Sequence, residues 1–191
     1  MKRKRLSRFS TFINWGYAPK NEQPGSLQGF NQSSIRLLRE IIGGLDVSGK
    51  DILEIGCGRG GNVSELCKSY GTRSVVGIDL TPSNIQFCQR NNRYEQAYYC
   101  IGDAEQLPVQ TESCDIVLNI ESSHLYPHIE LFFCGDLPCI KAGRVIFLYA
   151  DIMSASDVPR YEDQWQRLGF RTALIRDITG NVLQSGRRCA G

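Results

Sequence analysis

Residues 52–62 read Ile52-Leu53-Glu54-Ile55-Gly56-Cys57-Gly58-Arg59-Gly60-Gly61-Asn62. An apolar run of strand type ends in a cluster of glycines, and a helical pattern opens directly after it. That is the context a nucleotide-binding loop requires. Glycine permits positive φ and lets the backbone come within contact distance of a ligand. Gly56-x-Gly58-x-x-Gly61 also satisfies the dinucleotide fingerprint, so the glycines alone leave the class of nucleotide open.

Outward from this loop, helix-like and strand-like segments alternate. Residues 34–45 carry apolar side chains at helical spacing and close on Gly43 and Gly44. Short apolar runs at 52–55, 74–78, 97–101, 115–120 and 144–150 read as strands, with helices over 62–70 and 82–91 between the early ones. Thr81 is the expected N-cap of the latter helix, with Pro82 at its first position. A helix over 161–168 and a strand over 171–178 extend the pattern. This alternation predicts an α/β fold, a doubly wound and mostly parallel sheet of about six strands with right-handed crossovers. The expected organisation is a basic tail and lid segment over 1–26, one nucleotide-binding domain over 27–183 and an irregular tail over 184–191.

Three further features narrow the ligand. Glu54 stands just before the first glycine, where dinucleotide folds usually keep an apolar residue. Asp79 ends the second strand, where a carboxylate can accept both hydroxyls of a ribose. Gly102-Asp103-Ala104 ends the third, where an acid can accept from an adenine amino group while Ala104 offers its backbone amide. The series 52–58, Gly77-Ile78-Asp79-Leu80, 102–108 and Asp115-Ile116-Val117-Leu118-Asn119 resembles the class I S-adenosylmethionine-dependent methyltransferases. The resemblance implies S-adenosyl-L-methionine as cofactor, held by Glu54, Gly56, Cys57, Gly58, Gly60, Asp79, Leu80, Asp103, Ala104 and Asn119.

Asn119-Ile120-Glu121-Ser122-Ser123-His124-Leu125-Tyr126-Pro127-His128 and Asn14-Trp15-Gly16-Tyr17 take the likeness further. Together they resemble bacterial enzymes that O-methylate polyketide-derived lipids and peptides, of the phthiotriolone and phenolphthiotriolone dimycocerosate methyltransferase type. The resemblance implies that Trp15 and Tyr17 belong to a lid over the cofactor, and that the acceptor is a small natural product.

Methyl transfer to a hydroxyl requires in-line positioning, worth ~7–11 kcal/mol, and loss of the hydroxyl proton. A base near neutral pKa contributes ~10²–10⁴-fold. The chain has only two histidines, both just after the fourth strand, at the edge where open α/β sheets bind substrate. His124 is the candidate general base, with Glu121 orienting it or contacting the cofactor; the competing reading is that both histidines only pack or cap the next helix. His128 reads as structural. Asp151, after the fifth strand, could join Asp103 or His124 around a metal, but no compact ligand spacing appears, so no metal is assigned.

Composition excludes other classes. The net charge is only +2 and demands no nucleic-acid partner. No apolar run approaches the ~18 residues of a membrane span. Lys2, Arg3, Lys4, Arg5 and Arg8 precede the first acid, Glu22, and read as a solvated tail more readily than as a transit peptide. Of eight cysteines, Cys57, Cys67, Cys88, Cys100 and Cys114 lie in apolar patterns, which suits a reduced, cytoplasmic protein. Cys134 and Cys139 lack a second pair at zinc-finger spacing.

Two departures from the resemblance stand out. Gly135 and Pro138 should shorten the helix before the fifth strand. The chain also reads out soon after Leu183, where relatives add pocket helices and a final antiparallel strand. Two expectations of different class therefore stay open. One is an active O-methyltransferase whose pocket is completed by a second copy, a partner chain or a reduced lid. The other is a cofactor-binding homologue with little activity.

Overall fold

The computed structural model describes residues 10–20, 31–110, 113–134 and 146–188. Five strands form one wholly parallel sheet: β1 (Asp51–Ile55), β2 (Ser74–Asp79), β3 (Ala97–Ile101), β4 (Ile116–Ile120) and β5 (Ile146–Ala150). Their order is β3-β2-β1-β4-β5. The chain winds outward from β1 to β3, then restarts on the other side with β4. The crevice between the carboxyl ends of β1 and β4 is therefore the switch point at which such sheets bind ligands.

Helices α1 (Gln32–Ile42), α2 (Gly61–Ser69), α3 (Pro82–Asn91), α4 (Ile129–Cys134), α5 (Val158–Arg167) and α6 (Thr179–Arg188) flank the sheet, with a 3₁₀ turn at Ser123–Leu125. Strand alternation sorts the core into two layers. Ile52, Val75, Ile116 and Leu118 pack against Leu37, Leu38, Val63, Leu66 and Ile85 of α1 to α3. Leu53, Ile55, Ile78 and Val117 face the other way, against Phe132 and Phe133 of α4. Phe133 also makes edge contacts with Tyr149, Tyr161 and Trp165, which docks α5 on this layer.

Several boundaries differ from the sequence reading. α1 ends at Ile42 because Gly43 turns to φ +58° and its N–H closes on the Arg39 carbonyl, at 2.9 Å. Thr81 occupies the N-cap position of α3 but makes no side-chain cap bond. Asp79 braces the turn into the helix, its Oδ1 accepting from the Thr81 N–H at 2.9 Å and the Asn84 side chain at 3.1 Å.

Residues 171–178 do not form the expected sixth strand: they carry no ladder, and Leu174 is exposed. A strand needs a neighbour to satisfy its backbone groups, and among the described residues nothing pairs with the outer edge of β5. Arg176 instead ties the segment to α1 through Glu40, at 2.6 Å. Residues 184–188, expected to be irregular, continue α6, whose Asn181 and Ser185 are buried against the amino-terminal segment. The basic tail through Arg8, Gly135, Pro138, Cys139 and the last three residues lie outside the described residues.

Candidate active site

A cavity of about 470 Å³ opens at the carboxyl ends of β1, β2 and β3. Its floor is the glycine loop. Gly56, Gly58 and Gly60 have φ of +74°, +54° and +71°, a region that L side chains rarely adopt. At Gly56 a Cβ would stand 2.3 Å from the Ser122 Oγ, so the β4 loop sits directly on this backbone. Asn119 secures that contact. It is fully buried, and its amide nitrogen reaches the Ile55 carbonyl at 3.2 Å and the Ser122 and Tyr126 hydroxyls at 2.9 Å.

The carboxylates take distinct positions. Asp79 Oδ2 accepts from the Gly58 N–H at 2.8 Å. With two donors on Oδ1, roughly one of its four acceptor sites is left for a ligand hydroxyl, rather than room for two. Asp103 borders the cavity with Ala104, and its Oδ1 accepts from the Glu105 N–H at 2.9 Å. Glu54 is buried; its Oε1 accepts from the Asn62 side chain at 2.7 Å, while Oε2 has no partner. Burial pushes the Glu54 carboxyl up to about 8, against the hydrogen bonds from Asn62 and Val63.

The amino-terminal segment forms the opposite wall through Thr11, Phe12, Ile13 and Asn14. Phe12 covers Gly61 and Ile13 covers Gly58 so closely that a Cβ at either glycine would collide. Both polar atoms of the Asn14 amide are buried without a partner. Trp15 and Tyr17, the expected lid residues, do not line the cavity. Trp15 lies against α6, Gly16 turns at φ +75°, and Tyr17 packs on the layer of α1.

The remaining expected residues divide. Gly56, Cys57, Gly58, Leu80 and Glu121 border the cavity. Cys57 does so as an inert wall, because hydrogen bonding with Cys88 and burial hold its thiol far above the usual range. Gly60 caps α2 and Asn119 braces the loop, both set back from the cavity. Glu121 adopts φ +50°, unusual for a side-chain-bearing residue, and its Oε2 accepts from the Trp15 N–H at 2.7 Å. Burial raises its carboxyl, with the neighbouring Asp151 adding to the effect.

His124 stands beside the cavity rather than in its wall, and Nδ1 lies 2.5 Å from Asp151 Oδ1. His128 precedes α4 and donates its backbone N–H to Glu105, at 2.6 Å. No cluster of three potential metal ligands occurs among the described residues. The sequence reading missed Thr11, Phe12, Asn62 and Asn84. Only Asn14, inside the Asn-Trp-Gly-Tyr segment, carried a signal.

A profile of the methyltransferase-domain family matches residues 52–133, from β1 into α4. Over 176 residues the chain is 34% identical to a Mycobacterium ulcerans (strain Agy99) protein named probable phthiotriol/phenolphthiotriol dimycocerosates methyltransferase 2, covering 91% of this chain and 68% of that one. It is 35% identical over 154 residues to the fatty-acid O-methyltransferase of Mycolicibacterium smegmatis (strain ATCC 700084 / mc(2)155), covering 79% of this chain and 56% of that one. Among solved structures, geranyl diphosphate C-methyltransferase from Streptomyces coelicolor A3(2), in complex with Mg2+, geranyl diphosphate and S-adenosyl-L-homocysteine, superposes with a TM-score of 0.77 at 16% identity. That likeness, one of fold, covers 97% of this chain and 82% of the other.

Fold and site together define an S-adenosylmethionine-binding methyltransferase domain. The chain belongs to the S-adenosylmethionine-dependent methyltransferases, in the family that holds the phthiotriol/phenolphthiotriol dimycocerosates enzymes, and S-adenosylmethionine is its cofactor. The site fits that cofactor by its own chemistry. A buried carboxylate oxygen on Glu54 and a buried amide on Asn14 lack partners on the walls of one cavity. Gly56, Gly58 and Gly61 bring their backbone to the same cavity, bare of side chains.

Proposed function

We propose that the chain methylates a hydroxyl oxygen of a small, lipid-like molecule, a step in natural-product biosynthesis. The observation that carries this reading is the continuity of the cofactor cavity with the segment Glu121 to Pro127, beside which His124 is hydrogen-bonded to Asp151. The names of the two curated relatives, one acting on phthiotriols and one on fatty acids, support the substrate class.

In this reading Glu54, Asn14, Asp79 and Asp103, with the glycine backbone, hold the cofactor. Glu54 and Asn14 supply the partnerless polar atoms, and Asp79 its remaining acceptor site. When bound, the cofactor would supply an electrophilic methyl group on a cationic sulfur. The chain's own contribution is orientation and proton removal. His124 takes the acceptor's hydroxyl proton, which a carboxylic acid acceptor would already have lost at neutral pH. Phe12 and Ile13 cover the glycine loop and keep water from it. Buried Cys67 and Cys88, both free thiols, fit a reducing compartment such as the cytoplasm.

The test uses the purified chain with S-adenosylmethionine and a panel of long-chain alcohols, diols and fatty acids. Expected is release of S-adenosylhomocysteine with a product 14 mass units heavier, its methyl carbon bonded to oxygen by NMR, for hydroxylated acceptors. Methyl on carbon would overturn the O-methylation. Cofactor binding by calorimetry without product across the panel would favour a binding protein of little activity.

A further inference from the structure

Asp151 directly follows β5 with a fully buried side chain, and four donors and the His124 ring nitrogen converge on it. Oδ2 accepts from the Ser123 N–H at 2.6 Å, the Ser123 hydroxyl at 2.5 Å and the His124 N–H at 3.2 Å. Oδ1 lies 2.5 Å from His124 Nδ1 and accepts from the Ile152 N–H at 2.7 Å. Tyr149 completes the chain from the same strand, its hydroxyl 2.6 Å from the Ser123 Oγ. One carboxylate just after β5 thus holds the turn that follows β4, both its backbone and its imidazole.

We propose that Asp151 is a positioning residue for methyl transfer: it fixes the proton of neutral His124 on Nδ1, and so leaves Nε2 as the base. The inference rests on the reading of His124 as the acceptor's base. A carboxylate is acceptor-only, so the ring nitrogen facing it must carry the hydrogen. A neutral imidazole has one donor and one acceptor nitrogen, so Nε2 keeps its lone pair. When the acceptor hydroxyl loses its proton, that proton arrives on Nε2, and the resulting imidazolium is held by the same carboxylate until Nε2 returns the proton to solvent. The Asp151 side chain is fully buried, while the imidazole is about a third exposed. One other charged group acts on the ring, Glu121 on its own segment; Tyr149 reaches the pair only through Ser123, which binds Asp151. Glu121 is committed to the Trp15 N–H and supplies no hydrogen bond to the imidazole among those described.

Two measurements test the assignment. The chain has only two histidines, so ¹⁵N NMR of the free protein reads the tautomer directly, without activity. Neutral His124 should be protonated at Nδ1, and Asp151→Asn should shift it toward the Nε2–H form. In turnover, Asp151→Asn should lower kcat by about 10²-fold with KM and cofactor affinity held, within the range for a misplaced base. Asp151→Glu should recover part of that loss. In a His124→Ala background, Asp151→Asn should cost nothing more. An Nε2–H tautomer in the wild-type protein, or an equal additional loss in the His124→Ala background, would overturn the role of Asp151 while leaving His124 as base. Wild-type turnover by His124→Ala would sink the base reading itself. The wild-type tautomer decides the matter even where Asp151→Asn fails to fold.

Discussion

Asn181 of α6 and Ala18 of the amino-terminal segment exchange two hydrogen bonds. The Asn181 side chain donates to the Ala18 carbonyl at 2.9 Å, and the Ala18 N–H donates to the Asn181 carbonyl at 3.2 Å. This pairing joins the two ends of the described chain beside the wall formed by Thr11 to Asn14. Asn181→Ala leaves the buried Ala18 carbonyl short of its side-chain donor, a change that costs about 1–3 kcal/mol. Denaturant titration should show that loss, and S-adenosylmethionine should bind more weakly because the wall is less firmly held. Unchanged affinity in a destabilised variant would separate α6 from the cofactor wall.

Gly56 and Gly58 offer a contrast within one loop. Both need positive φ, which costs an alanine roughly 1–2 kcal/mol. The added methyl at Gly58 meets the end of the flexible Ile13 side chain, at 2.9 Å. At Gly56 it meets Ser122, at 2.3 Å, and Ser122 is pinned by Asn119 and Tyr126. Gly58→Ala should therefore fold with a modest loss of cofactor affinity, whereas Gly56→Ala should displace the β4 loop and abolish binding. Calorimetric titration of the two variants checks the order, and equal losses would contradict it.

The residues whose place was legible in the sequence are those positioned locally. The glycines, Glu54, Asp79 and Asp103 sit at strand ends whose alternation and spacing place them without tertiary information. The wall residues were not legible, because which of Thr11 to Tyr17 meet the cavity depends on how the segment docks on the glycine loop and α6. Asn14 lines the cavity while Trp15 and Tyr17 lie outside its lining. The segment 171–178 misled for a different reason. Ala173, Leu174 and Ile175 suit a strand, but a strand exists only with a ladder partner, and partners are a property of the sheet. The Asp151–His124 contact spans 27 positions and depends on β4 and β5 being neighbours.

Phe133 has no exposed surface and touches Phe132, Phe147, Tyr149, Tyr161 and Trp165. It joins α4, β5 and α5, so its loss opens a cavity shared by three elements. Phe133→Ala should destabilise the fold by about 3–5 kcal/mol. Because Tyr149 belongs to this cluster, the variant should also disturb the Ser123–Asp151 network. Chemical denaturation reads the first effect and the His124 ring signals the second. A loss below about 1 kcal/mol, ordinary for a surface change, would mean that α5 is not anchored here.

Glu54 makes stability and cofactor binding depend on pH in a defined direction. Its carboxyl titrates near 4.5 when unfolded and, through burial, near 8 when folded. Between those values the folded state binds more protons than the unfolded one, so stability falls as pH rises through the window and levels off above it. Glu54→Gln should remove this contribution and flatten the profile. S-adenosylmethionine carries positive charge, and the partnerless Glu54 oxygen borders the cavity, so binding favours the ionised carboxylate. At pH 7 the wild-type protein should release close to one proton on binding, an upper bound of about one set by a single group. Calorimetry in buffers of different ionisation enthalpy measures that number, and Glu54→Gln should show little buffer dependence. A wild-type binding enthalpy independent of buffer would mean that Glu54 does not change its protonation when the cofactor binds.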